Sequence, residues 1–578
     1  MTSSRSRRLL VLYAFLMLVI AFGYARYDVY MMDGDGTAFL DISQALTDGH
    51  AGLAINGYWN PGYPAVLAAV RMVVHPTRWT EMAMVRYTNV AIFGLGILAC
   101  LFLTTGLVRL RAQRGPGEPG AAVPDWALHL LGLTFLTLSA GRELPLATVR
   151  SDTLLMVLLL LAMGLGLRLQ SGSGFWAWPV LGATLGCAYL VKSFAFLPSM
   201  FLVLAVLVFG LTRKGSERTK IVTGAIVTGI VFAVIAGPYV LAISRQLGHL
   251  STGDSARLNY CYFIDQTPRW HEWYLHDLGH AVGTFTHPEA VIATQPPVFS
   301  FAAHPVGTFP LWFDPAYWTV GLTPHFWLKG HVERLIRCTE LFVRYLLGRP
   351  EAFVLLGVML AFGAIWPRRR ASLVGGPAVV WGLLMLGIYF PIDLQERYLM
   401  APFLLVLLPL FAWLQRREGN EGERVRWIAG ALVVLMAGVA MMQAVSYLAE
   451  RRRQEPIAHR GEAGYNPETN PMAEALDAMG LKPGDKIACF GDTACYLDHQ
   501  WARLAGAQIL AEVETPNSAD PQQVWDSIPD KHAVTEPLQK MGLRFIVTKF
   551  ANSVRKPEGW VQLGDSDFFA YPLANGSK

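Results

Sequence analysis

The chain has 578 residues, 53% of them hydrophobic and 16% charged, with a formal net charge of +5. Soluble domains carry about a quarter charged residues, so this composition excludes an ordinary soluble protein and indicates a polytopic membrane protein. The basic residues lie in short connections between apolar runs, a pattern that orients membrane proteins and argues against a nucleic-acid partner.

About eleven runs approach or reach the roughly 20 residues needed to span hydrocarbon. They lie near 9–28, 85–108, 125–141, 152–168, 175–191, 194–211, 220–243, 350–366, 374–391, 396–414 and 426–448. The first follows "SRSRR" and has no small-residue cleavage site, so it reads as a retained span and not a removed signal peptide. With the N-terminus cytoplasmic, the cytoplasmic connections are "RLRAQRG", "RLQSGSG", "LTRKGSERTK", "WPRRRAS" and "LQRREGNEGERVR", each holding Arg or Lys. The connections at about 29–84 and 244–349, and the tail after 449, then fall outside. The expected organisation is a membrane domain over 1–449 and a small extracytoplasmic α/β domain over 450–578.

The first outside connection opens on "MMDGDGTAFLD". Asp33 and Asp35 can cap a helix there, or serve as a general base or metal ligand facing a membrane cavity. Low dielectric strengthens a carboxylate's hydrogen bonds and raises its pKa, and the flanking glycines leave room for a substrate. Phe39, Ile42, Leu46 and Leu53 recur among polar neighbours, predicting a short helix on the membrane surface. "YWNPGYPAVLAAV" breaks at Pro61 and Pro64 and resumes as a helix too short to span. Residues 288–330, densest at "FPLWFDPAYW", suit the headgroup region that Trp and Tyr prefer, and a helix over about 331–346 leads into the next span. The same connection holds His271, His276, His280, His287, His304, His325 and His331, without the H-E-x-x-H spacing of a metalloprotease.

The tail alternates helix and strand, with "NPMAEALDAMG", "KIACF", "QWARLAG", "QILAEV", "RFIVTK" and "FFAYPL", which predicts a partly parallel sheet. "CFGDTAC" has no phosphate-cradling spacing, and the tail reads as a folded appendage that caps or positions something. Cys489 and Cys495 can pair if the tail is extracytoplasmic, whereas Cys100 and Cys187 read as small core residues of apolar runs.

Ionisable residues inside membrane segments mark functional sites by default. Asp152 opens the fourth span, Lys192 interrupts "CAYLVKSFAFLP", and Asp393, Glu396 and Arg397 stand together in "IDLQERYLM". Lys192 either snorkels to water or binds a lipid phosphate, and Arg397 has the planar fork that matches phosphate. All fall at one level of the bundle, where acids and cations suit a substrate with a phosphate head and a long apolar tail.

These segments resemble the GT-C superfamily of polyprenyl-phosphate-sugar-dependent glycosyltransferases, and within it the group that includes protein O-mannosyltransferases and aminoarabinose lipid A transferases. The resemblance covers most of residues 9–415. It rests on "DGDGTAFLDISQALTDG", "NGYWNPGYPAVLA", "RSDTLLMVLLLL", "GCAYLVKSFAFLPS" and "ERYLMAPFLLVLLPL". It implies an inverting sugar transfer at the outer face of a bacterial cytoplasmic membrane, to a lipid, glycan or protein acceptor. Asp35, four residues before Phe39, would be the base, with Asp152 and Asp33 beside it. Lys192 and Arg397 would hold the donor phosphate, seconded by Arg150 and Arg142. Tyr58, Asn60, Glu396 and Tyr398 would complete the pocket. The chain departs from the pattern in having Gly36 after Asp35, Phe39 in place of tyrosine, and Asn60 near the place where the aminoarabinose transferases carry a glutamate-lysine pair. Asp33 and Asp35 could share a divalent ion, magnesium or manganese suiting carboxylates. The alternative class is a transporter or flippase of a lipid-linked substrate; such folds often contain internal repeats and midplane charges, and the halves of this chain show no repeat.

Overall fold

A computed structural model describes residues 4–29, 31–113, 119–140, 146–172, 174–212, 217–268, 278–287, 290–301, 307–366, 375–417, 419–454, 467–515, 519–550 and 558–573. Arg142, His271, His276 and His304 lie outside the described residues.

Helices stand at all eleven expected positions. Among the described residues, seven helices are long and apolar enough to cross a membrane, including Ser4–Tyr27, Glu81–Ala112, Asp152–Gln170 and Glu396–Trp413. Ala177–Val191, Pro350–Ala361 and Gly376–Tyr389 are shorter, so length and composition do not establish eleven crossings. Glycines let the central helices close up: a Cβ at Gly164 would collide with the Phe102 ring. Of the cysteines, Cys100 is buried as expected, but Cys187 is exposed on the outside of the bundle.

At one end of the bundle lies the tail. Its sheet runs in the order Ala290–Thr294, Pro297–Ser300, Gln508–Val513, Lys486–Phe490, Phe545–Lys549, Phe568–Pro572, Val561–Gln562. Lys486–Phe490 pairs in parallel with both of its neighbours, and the outer pairs are antiparallel. The first two strands come from the large connection, so the sheet draws on both sides of the expected boundary at 449/450. Cys489 and Cys495 form a disulfide.

Two surface expectations change. The helix expected over 39–54 is Gly34–Thr47, and it is covered by protein, with Thr37, Asp41 and Ser43 buried along with Phe39 and Ile42. The aromatic segment expected at the headgroups is also interior: Phe309, Leu311, Phe313 and Trp318 are buried. Trp318 Nε1 donates to the Pro310 carbonyl at 3.0 Å, and Trp59 Nε1, from the first connection, donates to the Trp312 carbonyl at 2.8 Å. Aromatic density here serves packing between the first connection, the large connection and the tail. The segment with an exposed apolar side is instead the helix Leu328–Leu347, through Val332, Leu335, Ile336 and Val343.

Candidate active site

The site begins with a broken helix. Ala177–Val191 ends at Lys192, which is extended (φ −156°, ψ 125°), and the chain resumes through Ser193–Ala195 into Phe196–Thr212. A break inside an apolar bundle orphans backbone groups that need partners. Asn60 supplies them: its Nδ2 donates to the Tyr189 carbonyl and its Oδ1 accepts from Ser193 N, both at 3.0 Å. Two residues on, Gly62 lies so close that any Cβ would stand 2.7 Å from the Leu190 and Val191 backbone. The "NPG" of the first connection thus clamps the turn that presents Lys192.

Asp33 caps the helix Gly34–Thr47, accepting from Gly36 N at 3.1 Å, and Asp35 sits in its first turn, where the helix dipole favours a negative charge. The turn before the Asp152 helix is held by Asn89, whose Nδ2 donates to the carbonyls of Leu146 (2.9 Å) and Thr148 (2.7 Å). That places Arg150 with its Nε 2.8 Å from Asp33 Oδ2. Burial, and then the neighbouring Asp35 carboxylate, push the Asp33 carboxyl above its usual range, with Arg150 opposing.

Arg397 ties the pieces together. Its guanidinium is 3.2 Å from Asp35 Oδ2 and 3.8 Å from Asp152 Oδ2, and Lys192 Nζ is 2.7 Å from Asp152 Oδ1. Lys192 and Arg397 also lie over the Tyr398 ring, at 4.2 and 5.2 Å, and Tyr398 stacks on Tyr389 at 4.5 Å. Arg397 Nε has no hydrogen-bond partner among the described residues. Directly beneath is an apolar slot of about 20 Å³, lined by Met156, Leu159, Phe194, Met385, Met400 and Pro402. Three unbranched methionines can repack around a chain.

The structure therefore brings together Asp33, Asp35, Asp152, Arg150, Lys192, Arg397 and Tyr398, with Asn60 behind the Lys192 turn. Tyr58 and Glu396 do not join the cluster: the Tyr58 hydroxyl reaches Asn259 Oδ1 at 3.3 Å, and Glu396 forms no ion pair with another described residue. Asp393 pairs instead with Arg334. Two tail residues escaped sequence reasoning. Arg503 Nε reaches Glu81 Oε2 at 3.0 Å and its NH1 reaches Asp41, which also accepts from Thr308 N at 2.7 Å. His499 is fully buried beside Gly34. Neither belongs to a local motif, so no spacing signals them.

A divalent ion does not fit the acids as they stand. Asp33 is engaged by Arg150 and Asp35 by Arg397, and among the described residues no three His, Cys, Asp or Glu side chains converge as ligands.

No protein-family model and no curated protein sequence matches the chain. Among solved structures, ArnT from Cupriavidus metallidurans in the apo state matches over 100% of both chains at 14% identity, with a TM-score of 0.51. This is the GT-C fold. The same protein bound to undecaprenyl phosphate gives a TM-score of 0.49 at 14% identity, over 98% of this chain and 99% of that one. The Archaeoglobus fulgidus oligosaccharyltransferase in the apo form gives 0.46 at 12% identity, over 94% of this chain and 69% of that one.

Proposed function

We propose that this protein is an integral-membrane glycosyltransferase. It moves a sugar from a polyprenyl-phosphate donor to a hydroxyl of a lipid, glycan or protein acceptor at the outer face of a bacterial cytoplasmic membrane. The observation that carries this reading is that Arg397 bridges Asp35 to Asp152 and hence to Lys192, directly above an apolar slot. In this reading Asp35 serves as the base, Lys192 and Arg397 take the donor phosphate, and the Met156, Met385 and Met400 side chains around the slot move apart for the hydrophobic chain.

The donor phosphate binds between Lys192 and Arg397, and the unpartnered Arg397 Nε supplies a donor for one of its oxygens. Charge-assisted bonds from a planar fork suit this group. Drawing Arg397 toward phosphate loosens its hold on Asp35, leaving that carboxylate able to accept a proton. The acceptor oxygen attacks the anomeric carbon, its proton passes to Asp35, and the bond from the anomeric carbon to the phosphate oxygen breaks. The electron pair stays on the phosphate, where Lys192 and Arg397 stabilise the growing charge. A single displacement inverts the anomeric carbon. Asp152 holds the two cations in place, and Arg150 holds Asp33 as the cap of the Asp35 helix. General-base assistance is worth about 10²–10⁴-fold.

The test is transfer of label in detergent, from undecaprenyl phosphate bearing a radiolabelled sugar to an extract of a strain lacking the protein. Label should pass to the acceptor fraction. Label that stays on the carrier with the purified protein, and moves only across sealed vesicles, would replace the enzyme reading with that of a transporter.

A further inference from the structure

The first helix, Ser4–Tyr27, lies at the edge of the bundle, with only a third of its apolar stretch buried against protein. It runs antiparallel to Glu81–Ala112, and two contacts fix that direction. The Phe22 and Tyr87 rings lie 6.1 Å apart, and a Cβ at Gly94 would stand 3.5 Å from Leu18 Cδ2. From that second contact toward the N-terminus of the chain the helices part, leaving a cavity of about 730 Å³. Leu10, Ala14 and Leu18 line it from one side, four residues apart, and Gly94, Leu98 and Leu101 from the other.

The cavity has a closed apolar end at Leu18 and Gly94 and a basic end at Arg7 and His129. Arg7 precedes Leu18 by eleven residues, about 16 Å of helix at 1.5 Å per residue. One leaflet of hydrocarbon is about 15 Å deep, so the cavity is as long as a single leaflet. His129 enters from Asp125–Ala140 with its Nδ1 2.7 Å from Thr104 Oγ1, and its Nε2 forms no hydrogen bond to another described residue. An apolar cavity with a few polar groups converging at one end suits an amphiphile, whose head meets the polar groups and whose chain follows the walls.

A second, more open recess of about 450 Å³ shares Arg7, Val11 and Phe15 with the first and adds Arg8 and Leu12. Val11 and Phe15 are exposed, and they stand as a ridge between two apolar troughs that meet at the paired arginines. Among the described residues no acid lines either trough. Two troughs joined at a cationic end match a lipid with two chains and one phosphate, whereas a polyprenyl phosphate has a single chain.

We propose that these troughs bind an anionic phospholipid of the leaflet in which the first helix begins. Its phosphate lies on Arg7 and Arg8, its headgroup reaches His129, and its two chains run on either side of Phe15. Asp33 and Asp35 follow the opposite end of the same helix, so this lipid takes no part in the reaction. It fills the gap between the first helix and the bundle.

The experiment adds dioleoyl phosphatidylglycerol, dioleoyl phosphatidylcholine or undecaprenyl phosphate to the full chain purified in detergent. Bound lipid is read by native mass spectrometry, and the thermal midpoint is followed in parallel. Phosphatidylglycerol should bind saturably and raise the midpoint by a few degrees, because a ligand of the folded state alone stabilises it by mass action. Phosphatidylcholine should do neither. Arg7→Gln should weaken phosphatidylglycerol binding about fivefold, as expected for one cation beside a lipid phosphate. Ala14→Phe, which fills the cavity and leaves the charges in place, should weaken it as well. Arg7 is exposed, so R7Q decides the matter even where A14F lowers the midpoint by itself. Undecaprenyl phosphate should bind R7Q as it binds the parent, since its phosphate is assigned to Lys192 and Arg397. Equal binding of the two phospholipids would make the troughs ordinary boundary surface and overturn the site. Phosphatidylglycerol binding that R7Q leaves unchanged would overturn it too, as would displacement of that lipid by equimolar undecaprenyl phosphate, which would make the carrier the occupant.

Discussion

The helix Gly34–Thr47 contributes carboxylates to two clusters built from the same residue types, and the clusters differ in completeness. At Asp41, each carboxylate meets at least one arginine, Arg71 also pairing with Glu81. Arg503 uses Nε and NH2 on Glu81, NH1 on Asp41, and NH2 again on Gln44 at 3.2 Å, while Asp41 also takes the Thr308 hydroxyl at 2.8 Å. The Arg503, Asp41 and Glu81 side chains are 8%, 5% and 4% exposed. At Asp35, matters are unfinished. Arg397, Asp35, Lys192 and Asp33 are 14%, 25%, 24% and 29% exposed, and Arg397 Nε has no partner among the described residues. A saturated buried network fixes two bodies together, whereas an unsaturated one keeps capacity for another anion. The first cluster reads as a joint and the second as a site.

The largest effect should come from breaking the joint. Arg503→Ala leaves Asp41 and Glu81 buried without their main counter-charge, which costs about 3–5 kcal/mol. The thermal midpoint should fall by several degrees, and limited proteolysis should sever the tail from the bundle sooner than in the parent. An unchanged midpoint would mean that the joint bears no weight.

Next in size, Asp35→Asn removes the proposed base and keeps the shape. Transfer should fall by at least ~100-fold, with the thermal midpoint and carrier binding close to the parent. Parent-like turnover would remove Asp35 from the chemistry. A milder loss with normal donor binding would move suspicion to Asp33 or Asp152.

The two clusters were unequally legible. The acids and cations of the site each sit at an anomaly in an apolar pattern: Lys192 splits a run, Asp152 opens one, Arg397 stands at the head of another. Hydrophobicity makes such residues visible because a charge near hydrocarbon needs a reason. The joint carries no such mark. Asp41 and Arg503 are 462 residues apart, Arg503 sits in a short helix of ordinary composition, and only the folded chain shows that they meet. The same holds for the strand Pro297–Ser300, which pairs with Ala290–Thr294 on one side and on the other with Gln508–Val513, some two hundred residues downstream. The aromatic segment misled for a related reason: Trp and Tyr suit a headgroup layer and a protein–protein seam equally well, and composition does not say which side supplies the partner for Nε1. His499 shows that limit most clearly, since it packs beside Gly34, far away in sequence.

The finest comparison changes arginine to lysine in each cluster. Charge is kept in both cases, but the five-donor fork becomes a single flexible ammonium. At Arg503 the fork is fully used, so Arg503→Lys should lower the thermal midpoint by a few degrees, corresponding to about 1–2 kcal/mol of lost charge-assisted bonds. At Arg397 the fork is only partly used in the free protein, so Arg397→Lys should leave the midpoint nearly unchanged. Its deficit should appear when phosphate arrives, as about tenfold weaker binding of undecaprenyl phosphate, roughly 1.4 kcal/mol. The two substitutions thus separate stability from affinity. If Arg397→Lys instead lowered the midpoint as Arg503→Lys does and left carrier binding intact, the reaction cluster would be a second joint. Its open Nε would then be a packing defect, and the phosphate between Lys192 and Arg397 would lose its support.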